Sequence, residues 1–357
     1  MMFKVFISAS SLERLCLNEM SLPLKERSNW FVLLSKQNVI YLDKDIYSTW
    51  TLDDPLFMFS QSFGITFKEA ESNYNDVAAN NPTSFLEHPH DAFLLDLNPE
   101  QAEDIKNKFG VMCQSTQDLS NCPIAESGCH FNLVKNCRGH SWSELFADSS
   151  KIPSNSLIIV DRYLFGYEGR LHSGYVDGVN NIKQILSAAL PQNISCDFNV
   201  LIIFDAESST DHNFDLDAVA SELEYYKTND LRRPYNIDIE LLSVTSQCPR
   251  YEETHNRRVL SNYYIVYAEH LLKAFKQYGE SMTTQKLNLD LSYSEGLRDR
   301  SDVPQKAIDN LVSKLQELFY SARYAIQNNT AICGEYTYYI NGQLDKADHL
   351  KNRLLLK

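Results

Sequence analysis

Apolar and polar positions alternate most cleanly between residues 157 and 267. Leu157–Val160 and Val200–Phe204 are unbroken apolar runs, as in strands buried on both faces. Between them Val179, Ile182, Ile185, Leu186 and Ala189 recur every three or four residues, which predicts a helix over 176–190 stopped by Pro191. Leu216, Val219, Ala220 and Leu223 predict a second helix over 216–226. Ile237–Val244 reads as a third strand and Arg258–Tyr267 as a fourth, bent one. Alternating strands and helices imply right-handed crossovers and a mostly parallel sheet flanked by helices. The loop 245–254 is too short for a crossover helix, so the fourth strand is expected to run antiparallel to the third.

Upstream, Phe3–Ile7, Val39–Leu42 and Ala92–Leu95 read as strands. The last leads into a helix that starts near Pro99, carries Ala102, Ile105 and Phe109 on one face, and ends at Gly110; Val111–Cys113 then form the next strand. Residues 114–156 are rich in Ser, Asn, Cys and Gly, with a short helical stretch at 142–146. Downstream, Ile308, Leu311, Val312, Leu315, Leu318 and Phe319 predict a long helix over 303–324, and Glu335–Ile340 a late strand or hairpin. The expected organisation is a separate α/β N-terminal domain over 1–120, a loop-rich junction over 121–154, an α/β domain over 155–270 and a helical C-terminal region over 271–357.

Composition narrows the class. A chain of 357 residues with 43% hydrophobic and 22% charged residues is ordinary globular material, long enough for two domains. No run approaches a membrane span, and the short apolar start is followed by Ser8, Ser10, Ser11, Glu13 and Arg14, so neither an anchor nor an export signal is expected. Eight cysteines at irregular positions then read as reduced thiols, which favours the cytoplasm. A formal net charge of -14 argues against a nonspecific nucleic-acid coat while leaving room for a local basic patch.

Parallel α/β sheets gather functional groups at the carboxyl ends of their strands. Asp161, Arg162, Tyr163, Asp205 and Glu207 are expected on that edge, and an antiparallel fourth strand would return His255-Asn256-Arg257-Arg258 to it. Strand alternation would turn His255 and Arg257 to one side. The run His255 to Asn262 resembles the phospholipase D superfamily motif of histidine, any residue, lysine, four residues, aspartate. Arg257 stands in the lysine position and Asn262 in the aspartate position, and the resemblance covers about residues 155–270.

What the resemblance implies is a metal-independent phosphodiesterase or nuclease site, with His255 as nucleophile, Arg257 neutralising phosphate and Asn262 orienting the ring. Asp161, Arg162, Tyr163, Asp205 and Arg258 would then contact substrate. A guanidinium can hold a phosphate, but Asn262 cannot stabilise an imidazolium by charge, so weak or lost hydrolysis is expected. A second motif is not available, because the residue seven positions beyond His349 is Leu356. A complete site would therefore need a homodimer that brings two His255 side chains together. The expected ligand is a nucleic acid or another phosphodiester, with no cofactor, and families of this shape occur in prokaryotic defence and mobile-element systems.

Three alternatives stay open. His255 and Arg257 could be ordinary polar residues at a strand entrance, with an arginine paired to Glu252 or Glu253, in a non-catalytic interaction protein whose C-terminal helix docks onto a partner. Cys122, Cys129, His130, Cys137 and His140 could hold zinc, although their spacing does not match a paired knuckle. Asp43, Asp45, Glu69, Asp91 and Asp96 lie near strand ends, where they could cluster around magnesium in a metal-dependent nuclease. Tyr263, Tyr264 and Tyr267 flank the motif and could stack a base or simply pack.

Overall fold

The computed structural model describes residues 4–44, 51–125, 128–147, 152–166, 175–205, 215–246, 248–291, 312–318, 338–340, 343–344 and 351–355. They divide into two compact units, one built on Met2–Ser127 and one on Gly128–Asp290 together with the C-terminal stretch that begins at Ile308.

In the N-terminal unit the elements run β1 (Val5–Ile7), α1 (Ala9–Glu19), α2 (Asn29–Ser35), β2 (Val39–Leu42), α3 (Pro55–Phe63), β3 (Thr66–Glu69), α4 (Tyr74–Asn80), β4 (Ala92–Leu95), α5 (Pro99–Phe109) and β5 (Met112–Ser115). The strands form one sheet in the order β3-β2-β1-β4-β5, with every pairing parallel. Local chemistry sets the helix ends. The Ser8 hydroxyl accepts from the Ser11 amide at the start of α1, Asn98 and Gln101 form a capping box on α5, and Gly110 closes α5 at φ 62°. Phe6 and Phe93 stack with centroids 5.1 Å apart in a core shared with Phe85, Ile105 and Phe109.

The second unit contains β6 (Cys129–Leu133), α6 (Trp142–Leu145), β7 (Ser156–Val160), α7 (Tyr175–Ala189), β8 (Phe198–Phe204), α8 (Leu216–Tyr226), β9 (Ile237–Ser243), β10 (Arg258–Ser261), β11 (Tyr264–Ala268), β12 (Gln285–Leu291), β13 (Tyr338–Ile340) and β14 (Gln343–Leu344). Residues 312–318 form a further helix, α9. Among the described residues the sheet has nine strands, ordered β14-β13-β9-β8-β7-β10-β11-β12-β6. β7, β8 and β9 are its parallel centre, buried at every position, and β10 and β13 flank that centre in antiparallel fashion.

Three expectations change here. The run Arg258–Tyr267 is two strands, because Asn262 and Tyr263 turn the chain between Ser261 and Tyr264; both strands are buried, so the apolar pattern does not break at the turn. β10 runs antiparallel as expected, but its neighbour is β7, the first strand of the centre. The loop-rich junction and the region expected to be helical each supply an unforeseen strand, β6 and β12, which pair with each other, while β13 and β14 form the late hairpin expected near Glu335–Ile340 and β13 pairs with β9.

β9 alternates Ile237, Asp238, Ile239, Glu240, which reads as one wet face, yet both carboxylates are buried. Glu240 accepts from the Lys351 and Asn352 amides at 2.9 and 3.2 Å, and the Asn352 side chain donates to the Leu157 and Asn199 carbonyls. The C-terminal residues thus seal the sheet, with Leu354 and Leu355 packed beside Val312, Leu315 and Leu318 of α9.

Candidate functional site

Asp161, Arg162 and Tyr163 leave the carboxyl end of β7, and Asp205 leaves that of β8. The 3-10 turn Tyr251–His255, just before β10, comes back to the same edge. Backbone bonds stitch the three segments together: the Arg162 amide donates to the Thr254 carbonyl at 2.7 Å and the Asp205 amide to the Arg162 carbonyl at 3.3 Å.

Arg162 turns onto that turn. Its guanidinium lies 3.9 Å from the Tyr251 ring centroid, and it donates to Thr254 Oγ1 and to the Tyr251 carbonyl, both at 3.2 Å. The Tyr251 hydroxyl donates to Asp205 Oδ2. Burial and this carboxylate together push the Tyr251 phenol up, so it stays a donor at neutral pH.

Asp161 has no exposed surface. Its Oδ1 accepts from the Tyr163 amide at 2.9 Å and its Oδ2 from the Leu272 amide at 3.0 Å, with Arg257 Nε 3.9 Å from Oδ1. Burial pushes its carboxyl up, opposed by those amides and by Arg257 and Lys273. Asp161 is therefore buried within the edge and engaged by backbone amides, where the sequence reading expected a side chain open to a ligand. Sequence reasoning also passed over Lys273, fully buried and donating to the Gly166 carbonyl, and Tyr251, for which the sequence carries no signal.

His255 is exposed, whereas Arg257 is buried. Alternation does not explain their placement, because His255 ends a 3-10 turn and β10 begins only at Arg258. What brings them together is Tyr163: the His255 ring meets it edge-on at 6.1 Å, and the Arg257 guanidinium lies 5.7 Å from the same ring. Arg258 sits 5.4 Å from the Tyr267 ring and 3.7 Å from Glu253 Oε2. Glu253 Oε1 accepts from Lys314 Nζ at 2.7 Å.

Asn262 stands apart. It is fully buried at the far end of β10, where its Oδ1 accepts from the Asn155 and Ser156 amides at 3.0 and 3.2 Å and its Nδ2 donates to Asn155 Oδ1 at 3.0 Å. It clamps the entry to β7, and with β10 lying between them it does not orient the His255 ring.

The chain matches no known family model and no curated protein.

The remaining candidates disperse. Tyr263 and Tyr264 are core residues, and Tyr267 alone of the three is partly exposed. No disulfide joins any two of the seven described cysteines. Cys137 Sγ lies 3.2 Å from Ser281 Oγ, His140 bonds Glu144 and stacks on Phe131, and His130 is 3.9 Å from Asp290. Asp91 lies at the amino end of β4, paired with His88, whereas Asp43 and Asp96 lie at carboxyl ends. Asp43 accepts from the Ala9 amide, and Asp96 accepts from Ser11 and Thr116. Among the described residues no group of three or more His, Cys, Asp or Glu is placed to hold a metal; Asp45 and Glu207 lie outside them. No described helix is long and apolar enough to cross a membrane.

Proposed function

We propose that the carboxyl edge of β7 and β8 recognises a phosphate-bearing ligand, with a phosphodiester such as single-stranded nucleic acid as the ligand class. The observation that carries this reading is the shared contact of exposed His255 and of Arg257 with one ring, Tyr163, beside a second guanidinium, that of Arg162. Guanidinium groups match phosphate oxygens, and an exposed imidazole can accept or donate a proton, or attack phosphorus, at neutral pH.

Recognition is favoured over hydrolysis. Arg257 and Arg258 each face a carboxylate, which lowers the positive potential available to a transferring phosphoryl group. Hydrolysis through His255 would also need an acid for the leaving group, which on this reading a second copy of the chain would bring. The similarity of the His255-x-Arg257 run to the phospholipase D motif belongs to the same proposal, as does a setting in prokaryotic defence.

The test is binding and cleavage of bis(p-nitrophenyl) phosphate and of single- and double-stranded DNA and RNA, with and without EDTA, by wild type, His255→Ala and Arg257→Lys. Metal-independent binding weakened in both variants supports the reading. Binding indifferent to both substitutions, or cleavage abolished by EDTA and unchanged in His255→Ala, rejects it.

A further inference from the structure

We infer that Glu253 is a positioning residue through which α9 holds the His255 turn in place; this rests on reading that turn as part of a phosphate-recognition edge. Glu253 lies two residues before His255, and its side chain is 5% exposed. Oε1 takes Lys314 of α9 at 2.7 Å. Oε2 accepts from Asn256 Nδ2 at 3.3 Å and faces Arg258 at 3.7 Å. One carboxylate therefore fastens the residues on either side of Arg257 to a helix nearly sixty positions further along the chain.

The other end of the turn is held by the same helix. Arg250 Nε bonds Glu317 Oε2 at 2.6 Å, and residues 314 and 317, three apart, share one face of α9. Beside these two polar contacts Val312, Leu315 and Leu318 enter the core that also packs Tyr251 and Tyr267, the rings beneath Arg162 and Arg258. Any movement of α9 is thus transmitted to both guanidinium groups and to the backbone that carries His255. A buried carboxylate with two cationic neighbours holds a defined geometry, because releasing either one leaves uncompensated charge.

The test uses the full chain and two readouts. In Lys314→Met, amide hydrogen exchange over 250–258 should speed up about tenfold while β7 and β8 keep their protection, and inorganic phosphate should bind about threefold to tenfold more weakly. Lys314→Arg should restore both, which a loss of general stability would not do. Unchanged exchange over 250–258 in Lys314→Met overturns the inference. Faster exchange combined with no phosphate binding by wild type supports the strut and overturns the recognition reading.

Discussion

Asn262 Oδ1 accepts a hydrogen bond from the Asn155 amide at 3.0 Å, at the end of β10 opposite to His255. The contact ties the tight turn after β10 to the first residues before β7. Asn262→Ala would leave the Asn155 and Ser156 amides without that acceptor in a buried setting, at a cost of about 2–4 kcal/mol. Urea denaturation should show this loss, while phosphate binding per folded molecule stays at the wild-type level. A selective loss of binding at unchanged stability would contradict it.

Gly178, in α7, approaches the carbonyl of Leu164 so closely that a Cβ would lie 2.0 Å from its oxygen. Gly178→Ala must displace the helix or the chain just after Tyr163, costing about 1–3 kcal/mol. Thermal unfolding should fall by several degrees, and phosphate affinity with it, because Tyr163 is the ring shared by His255 and Arg257.

Tyr251→Phe keeps the ring under Arg162 and removes only the donor to Asp205. The expected cost is about 1–3 kcal/mol, since a largely buried carboxylate loses a hydrogen bond. The urea midpoint should drop without a change in the slope of the transition. An unchanged midpoint would mean that the contact contributes nothing.

Acid should loosen both units. Burial pushes the Glu253 carboxyl up, but Lys314, Asn256 and Arg258 outweigh it, so its pKa lies below the usual glutamate value. Burial likewise opposes the Ser11, Ser8 and Thr116 hydroxyls and Arg14 at Asp96, and again the lowering influences win. For a depressed folded pKa the unfolded chain takes up the proton first as pH falls. The stabilisation is therefore complete above the ordinary carboxylate range near 4 and is lost below it. Asp161 acts the other way: burial raises its pKa, so its contribution declines as pH rises through that raised value. Unfolding free energies measured between pH 3 and 6 should rise with pH. Glu253→Gln should flatten the rise and Asp161→Asn should steepen it.

Periodicity alone determined the centre of this protein. β7, β8 and β9 are buried on both faces and must be apolar throughout, while α7 and α8 bury one stripe each, so the sequence records them almost residue by residue. It also determined that Arg162, Asp205 and His255 come to one edge, because parallel strands separated by helices have only one edge at which their carboxyl ends meet.

Other features depend on partners distant in the chain. β3 has Phe67 as its one large apolar residue, and only its neighbour β2 makes it a strand, whereas β6 and β12 alternate in period two, with Phe131 and Leu133, and Leu287, Leu289 and Leu291, on the buried side, a signal that the sequence reading passed over. The burial of Glu240 follows from Asn352, more than a hundred residues away, and the fixing of Glu253 from Lys314. Spacing made His255, Arg257 and Asn262 look like one site. Tertiary structure kept His255 and Arg257 together at Tyr163 and separated Asn262 from them, because a strand four residues long stands between the turn that presents His255 and the clamp that Asn262 forms.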